Sequence, residues 1–165
     1  MMQHLARYRV HLGFLSAAAA LVLAKPHYTW WLAGGAVAVV GEGLRVWAAG
    51  HIEKGREITR SGPYRFMRHP LYVGSAVMGL GFVIAAASLP VAVLCVAYLS
   101  LTLAAAVRTE EATLDARFQG AYTAYKEGRA EPVMRHFSWA RVIANREYRA
   151  VTGLLIAFVY LYWRL

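Results

Sequence analysis

The chain has 165 residues, 59% of them apolar, and a formal net charge of +9. A soluble domain of this size sits nearer half apolar, and here the excess is gathered in blocks, so an ordinary water-soluble core is excluded in favour of membrane-spanning segments. The single cysteine, Cys95, excludes an intrachain disulfide, and the basic residues form no continuous patch of the kind that binds nucleic acid.

Five apolar segments follow one another. The first, residues 10–24, has Arg7 and Arg9 before it and stops at Lys25-Pro26. Its basic flank suits a signal peptide, but the spans that follow favour a retained helix. The second, residues 29–49, carries Glu42 and Arg45 near its end and Gly34, Gly35, Gly41 and Gly43 along its length. The third, residues 71–89, is rich in small residues (Gly74, Ser75, Gly79, Gly81, Ala85), which allow close backbone approach between membrane helices. The fourth, residues 90–107, is separated from it only by Ser88-Leu89-Pro90, so the two form a tight helical hairpin. The helix is expected to run on into water, with Leu114, Phe118, Tyr122 and Tyr125 on one face and a stop at Gly128. Residues 134–149 are basic and aromatic and are expected at the membrane surface; residues 151–163 form the fifth span. The first and fifth are short and borrow flanking residues such as Tyr8, Tyr148 and Arg149, whose side chains snorkel.

The reading is therefore an all-α integral membrane bundle of about five helices, in a single domain. Sixteen of the eighteen Lys and Arg residues then fall on one side. By the positive-inside rule that side is cytoplasmic, with the N-terminus inside and the C-terminus outside a bacterial-type inner membrane.

The segment with most chemistry is residues 61–74, a turn-rich run with Arg65, Arg68, His69, Tyr64 and Tyr72 that opens onto the third span. Pro70 suits the first turn of that helix, and His69 then sits at its start, where free N–H groups favour anions. Beyond the fourth span stands Glu110-Glu111. Locally these residues have plainer roles: Arg68 and His69 as interfacial anchors, and Glu111 paired with Arg108 along the helix. In a hairpin, however, both cytoplasmic ends meet, and Tyr64, Arg68, His69 and Tyr72 approach Glu110 and Glu111, with Tyr122 and Tyr125 folding back. Carboxylates for an ammonium, an arginine for a carboxylate and aromatic faces for a sulfonium or adenine together suit a zwitterionic nucleoside.

Gly62-Pro63-Tyr64-Arg65-Phe66-Met67-Arg68-His69-Pro70-Leu71-Tyr72-Val73-Gly74, then Glu110-Glu111, Leu114, Phe118, Tyr122 and Tyr125, resembles the isoprenylcysteine carboxyl methyltransferase family, whose cofactor region is shared with membrane phospholipid methyltransferases. Leu44-Arg45-Val46-Trp47-Ala48 is similar to that family's second span, and the likeness covers residues 40–128. It implies an integral membrane enzyme using S-adenosylmethionine, with S-adenosylhomocysteine as product. Pro63, Tyr64, Arg68, His69, Tyr72, Glu110, Glu111, Tyr122 and Tyr125 are the implied cofactor residues. The chain departs from the family at Phe118-Gln119, where glycine is displaced to Gly120, and at Gly128-Arg129-Ala130-Glu131-Pro132, before an added basic segment and fifth span within 129–165.

Methyl transfer from a sulfonium is an in-line displacement, so the protein chiefly aligns the acceptor and excludes water. The acceptor is expected to be lipophilic, an isoprenylcysteine-like carboxylate or a lipid amine entering from the bilayer. Arg45 is the residue expected to orient an anionic acceptor; its plainer role is an i,i+3 pair with Glu42. Glu111 is the carboxylate expected to act in catalysis, as proton acceptor for an amine. The six histidines show no metal-ligand spacing on one helix, and no metal is expected. Two other readings are a membrane reductase of the sterol-reductase-like type using NADPH, and a non-enzymatic adaptor attracted to anionic lipid.

Overall fold

The computed structural model describes residues 2–53, 56–118, 121–129, 133 and 135–165, with only the backbone described for residues 2–12. The expectations for Gln119, Gly120, Ala130, Glu131, Pro132 and Met134 lie outside the described residues. Among the described residues seven α-helices follow in order: α1 Met2–Leu23, α2 Tyr28–Ala49, α3 Pro70–Ala86, α4 Leu89–Phe118, α5 Ala121–Lys126, α6 Trp139–Ala144 and α7 Tyr148–Trp163, with one 3-10 turn at Gly62–Arg65 before α3. No strand occurs among the described residues.

Among the described residues two helices, α2 and α4, are long and apolar enough to cross a membrane. Gly13–Leu23, α3 and α7 are apolar but shorter. α3 ends at Ala86, before the end expected from the sequence, because Ala87 enters the left-handed region (φ 46) and turns the chain into α4. α4 has 30 residues, about 45 Å at the helical rise, so it outlasts its apolar run, which ends at Val107, and carries Glu110 and Glu111 beyond it.

Outward faces are bare hydrocarbon: Phe14, Val39, Val93, Leu101 and Ile156 are all more than 60% exposed. The buried core, by contrast, is made largely of alanines (Ala20, Ala24, Ala38, Ala85, Ala86) with Val91, Phe158 and Leu161. Large apolar groups outside and small ones inside is the pattern for a lipid solvent, where helices associate by close packing rather than by hiding from water.

The most extensive packing joins α2 to α3. A Cβ on Gly34 would meet the backbone of Gly81 and Ala85; one on Gly41 would lie 2.5 Å from Met78 N and 2.7 Å from Gly74 O. The expected α3–α4 hairpin is present as a two-residue reversal, with Gly79 against Leu99, but it is the lesser contact of α3. Gly35 faces Phe158 of α7, whereas Gly43 has nothing within 4 Å and no packing role.

Connections gather at two ends. At one lie the α1–α2 turn, the α3–α4 turn and the C-terminus: Lys25 N–H donates to Ala86 O (2.8 Å), and Arg164 Nη1 donates to Leu21 O and Val22 O (2.9 and 3.0 Å). At the other lie the loop before α3, the end of α4, α5, α6 and the start of α7. There the segment expected on the surface is partly docked. Ser138 N–H and Arg141 Nε donate to Gly50 O (3.1 and 2.7 Å), and Asn145 Nδ2 donates to Ala49 O and Ile52 O (3.0 and 3.1 Å). These donors satisfy carbonyls that the end of α2 leaves open. Trp139 and Ile143 still face outward.

Candidate functional site

Gly62 and Pro70 shape the loop that enters α3. Gly62 has φ +56, and a Cβ there would strike the buried His51 ring, so two independent constraints select glycine. Pro70 occupies the first helical position of α3 and His69 its N-cap, as the sequence indicated.

His69 reaches the carboxylate pair on α4. Its Nε2 lies 3.1 Å from Glu111 Oε1 and its Nδ1 3.8 Å from Glu110 Oε2. A carboxylate only accepts, so Nε2 carries the hydrogen. Glu111 is a hub: Tyr122 O–H donates to it (3.2 Å), Arg68 Nη1 lies 3.5 Å away and Lys126 Nζ 3.6 Å away. The His69 hydrogen bond, assisted by Lys126 and Tyr122, holds the Glu111 carboxyl below its ordinary range against a partial burial cost. Its partners thus come from other elements rather than from Arg108 along α4.

α5 folds back along α4, with Lys126 Nζ 3.9 Å from Asp115 Oδ2 as well as near Glu111, where the sequence suggested one continuous helix to Gly128. Tyr122 is buried, with Lys126 Nζ 5.4 Å from its ring centroid, and Tyr125 O–H donates to Tyr64 O (2.7 Å). Burial raises the phenols of Tyr64, Tyr122 and Tyr125 above their usual range; Glu110 adds to the rise at Tyr64 and Glu111 at Tyr122. All three are neutral phenols at physiological pH, and Tyr122 and Tyr125 act as donors.

Two polar cavities share a wall of Tyr64, Arg68, Tyr72 and Glu110. The larger, about 490 Å³, is closed by α4 and α5 and adds Thr59, Phe118, Tyr122 and Tyr125. The smaller, about 370 Å³, opens toward α2 and the start of α7, with Arg45, His69, Glu147 and Arg149. Buried hydroxyls of Tyr64 and Thr59 have no hydrogen-bond partner among the described residues, and both residues line the larger cavity. Buried hydroxyls of this kind call for a polar partner.

Residues 30–121, more than half the chain, match the phospholipid methyltransferase family. The chain belongs to this family. No curated protein and no solved structure matches it. As a phospholipid methyltransferase family member it is a membrane methyltransferase acting on lipid-type substrates. This is the broader superfamily to which the motifs around His69 and Glu110-Glu111 pointed.

The expected cofactor residues of this phospholipid methyltransferase relative fall together. Tyr64, Arg68, His69, Tyr72 and Glu110 line one or both cavities, Tyr122 and Tyr125 line the larger, Glu111 braces His69 and Tyr122, and Pro63 is fully buried beneath Tyr64 in the loop. Arg45 stands apart, on the far side of the smaller cavity. Its i,i+3 contact with Glu42 is long (3.7 Å); the close partner is Glu147, 2.6 Å from Nε. Nη1 donates to Leu71 O (3.4 Å) and to Ser75 Oγ. Glu147, Asn145 and Lys126 escaped notice in the sequence. Glu147 had one usable signal: a lone carboxylate at the start of an apolar helix needs a cation, and Arg45 was the intramembrane cation lacking a full partner.

Proposed function

We propose that the protein moves a methyl group from S-adenosylmethionine to a lipid acceptor, with the cofactor in the larger polar cavity and the acceptor headgroup in the smaller. The observation that carries this reading is the larger cavity itself. Its size is in the range of small-molecule sites, and it brings aromatic faces, a carboxylate, an arginine and two unsatisfied buried hydroxyls together. The donor set fits an aminoacyl nucleoside: Glu110 for its ammonium, Arg68 for its carboxylate, Tyr72, Tyr122 and Tyr125 against flat or sulfonium groups, and the hydroxyls of Tyr64 and Thr59 for polar atoms of the nucleoside. When bound, the sulfonium supplies an electrophilic methyl group.

The chain's own part is alignment, charge placement and exclusion of water. Glu111, engaged by His69, Tyr122, Arg68 and Lys126, is a weak proton acceptor, so its role here is to position His69 and Tyr122. Glu110 borders both cavities and takes over as the carboxylate that relieves an amine acceptor of its proton. An isoprenylcysteine-like carboxylate needs no such step. Arg45, fixed by Glu147 and Ser75, orients the acceptor from the α2 side. Ser75 also lines an apolar cavity of about 660 Å³ between α1, α3, α4 and α7, a suitable place for hydrocarbon entering from the bilayer. Five membrane crossings, with the polar end in the cytoplasm, complete the reading.

Calorimetry on detergent-purified protein tests it. S-adenosylhomocysteine should bind and NADPH should not, and in a companion assay labelled methyl from S-adenosylmethionine should enter extracted membrane lipid. Binding of NADPH alone overturns it in favour of a reductase.

A further inference from the structure

The link between α6 and α7 lies outside the family-matched residues, yet it walls the smaller polar cavity. Its residues divide by direction. Asn145 and Glu147 turn inward, the first onto the carbonyls ending α2 and the second, buried, onto Arg45. Arg146 and Arg149 are exposed at the cavity mouth, and among the described residues neither guanidinium pairs with a carboxylate.

Arg146 also occupies a place that favours glycine. Its φ is 59, and its N–H donates to Ile143 O (2.9 Å) while Glu147 N–H donates to Val142 O (3.2 Å), the paired bonds of a Schellman close. A side chain here is held at a steric cost, and the side chain present is a long cation. Across the cavity stand Arg68, His69 and Glu110; Glu147 is already matched by Arg45, so cations are in excess. Immediately beyond, α7 presents a bare apolar face with Leu155, Ile156 and Val159. Paired guanidinium forks at the head of a lipid-facing helix suit a phosphate attached to hydrocarbon.

Resting on the lipid-acceptor reading above, we propose that Arg146 and Arg149 hold the phosphate of a phospholipid acceptor and so set its headgroup against the methyl-transfer site. Neither lines the larger, aromatic cavity, so the site is separate from that assigned to the cofactor.

The full chain in neutral detergent micelles provides the test. The micelles carry phosphatidylethanolamine or diacylglycerol of the same chains, soluble glycerophosphoethanolamine serves as the lipid-free arm, and S-adenosylhomocysteine is titrated in parallel. The expected result is preference for phosphatidylethanolamine over both other ligands. Arg146→Gln and Arg149→Gln should each weaken it about tenfold, the size of one charge-assisted hydrogen bond, with S-adenosylhomocysteine affinity unchanged. Arg146→Gly separates binding from folding: it relieves the left-handed strain, so Tm holds or rises while phospholipid affinity falls as in Arg146→Gln. Equal binding of diacylglycerol, equal binding of the soluble headgroup, retained lipid affinity in Arg146→Gly, or a loss confined to S-adenosylhomocysteine each overturns the assignment. Phosphate-selective lipid binding in a protein that binds no S-adenosylhomocysteine upholds this site and defeats the methyl-donor reading instead.

Discussion

The α2–α3 contact and the polar mouth beneath it use opposite materials. The first is glycine against backbone along Gly34, Gly41, Gly74 and Gly81, with no room for a methyl group. The second is built from long side chains, His69, Arg68, Glu110, Glu111, Lys126 and the tyrosines, that reach across gaps between elements. Close packing fixes where α3 begins relative to α2; the long groups then span what the helices leave open. Substitutions in the two regions should therefore fail differently, the first in folding and the second in function.

The sharpest break is Gly41→Leu. Its Cβ alone would enter the backbone of Met78 and Gly74, so the helices must part, at a cost of more than about 3 kcal/mol. Loss of a monodisperse peak in detergent is the expected outcome, whereas Gly43→Ala, with open space around it, keeps the wild-type fold and gains up to about 1 kcal/mol of stability. Equal tolerance at both positions would dismiss glycine packing as the organising contact.

In the polar mouth the order reverses. Glu110→Gln keeps the shape of the cavity wall and removes its charge, so methyl transfer should fall roughly 100-fold, within the range of a lost general base, with Tm little changed. A parallel loss of Tm and activity would make Glu110 a structural residue.

Acid sharpens the contrast further. The Glu111 carboxyl titrates below its ordinary 4.5, with the His69 hydrogen bond as the largest cause. A depressed carboxyl stabilises the fold fully above the unfolded value and less as pH falls through the folded one. Stability should therefore decline on acidification below about 4.5, and Glu111→Gln should remove that part of the decline while α2–α3 packing stays indifferent to pH. An unchanged acid limb in the variant would show that the His69–Glu111 contact does not contribute.

The sequence disclosed much of this arrangement and hid the rest for identifiable reasons. Apolar blocks located the helices, because composition reports lipid exposure directly. The meeting of His69 with Glu111 was legible because Pro70 fixes where α3 begins and the short connection at Ser88 sets α4 beside it. The dominance of α2 as partner of α3 was not legible: small residues permit close approach without naming the partner, and chain adjacency favoured α4. The return of α5 onto α4 was hidden by a helical period that continues through Tyr122 and Tyr125. The inward anchors Asn145 and Glu147 were hidden because a docked polar segment and a surface one have the same composition.

The smallest expected effect tests how α5 is docked. Tyr125 closes α5 onto the loop before α3 through one hydrogen bond to Tyr64 O (2.7 Å), and Tyr125→Phe removes this bond while keeping the ring. A neutral hydrogen bond of this kind contributes about 1 kcal/mol, so thermal unfolding should shift by only a few degrees. Because the same bond fixes a wall of the larger cavity, S-adenosylhomocysteine affinity should fall by a comparable free energy, roughly five- to tenfold. Affinity that falls with no shift in unfolding would place the Tyr125 hydroxyl on the ligand itself. A shift in unfolding with affinity intact would leave α5 as a brace for the loop alone.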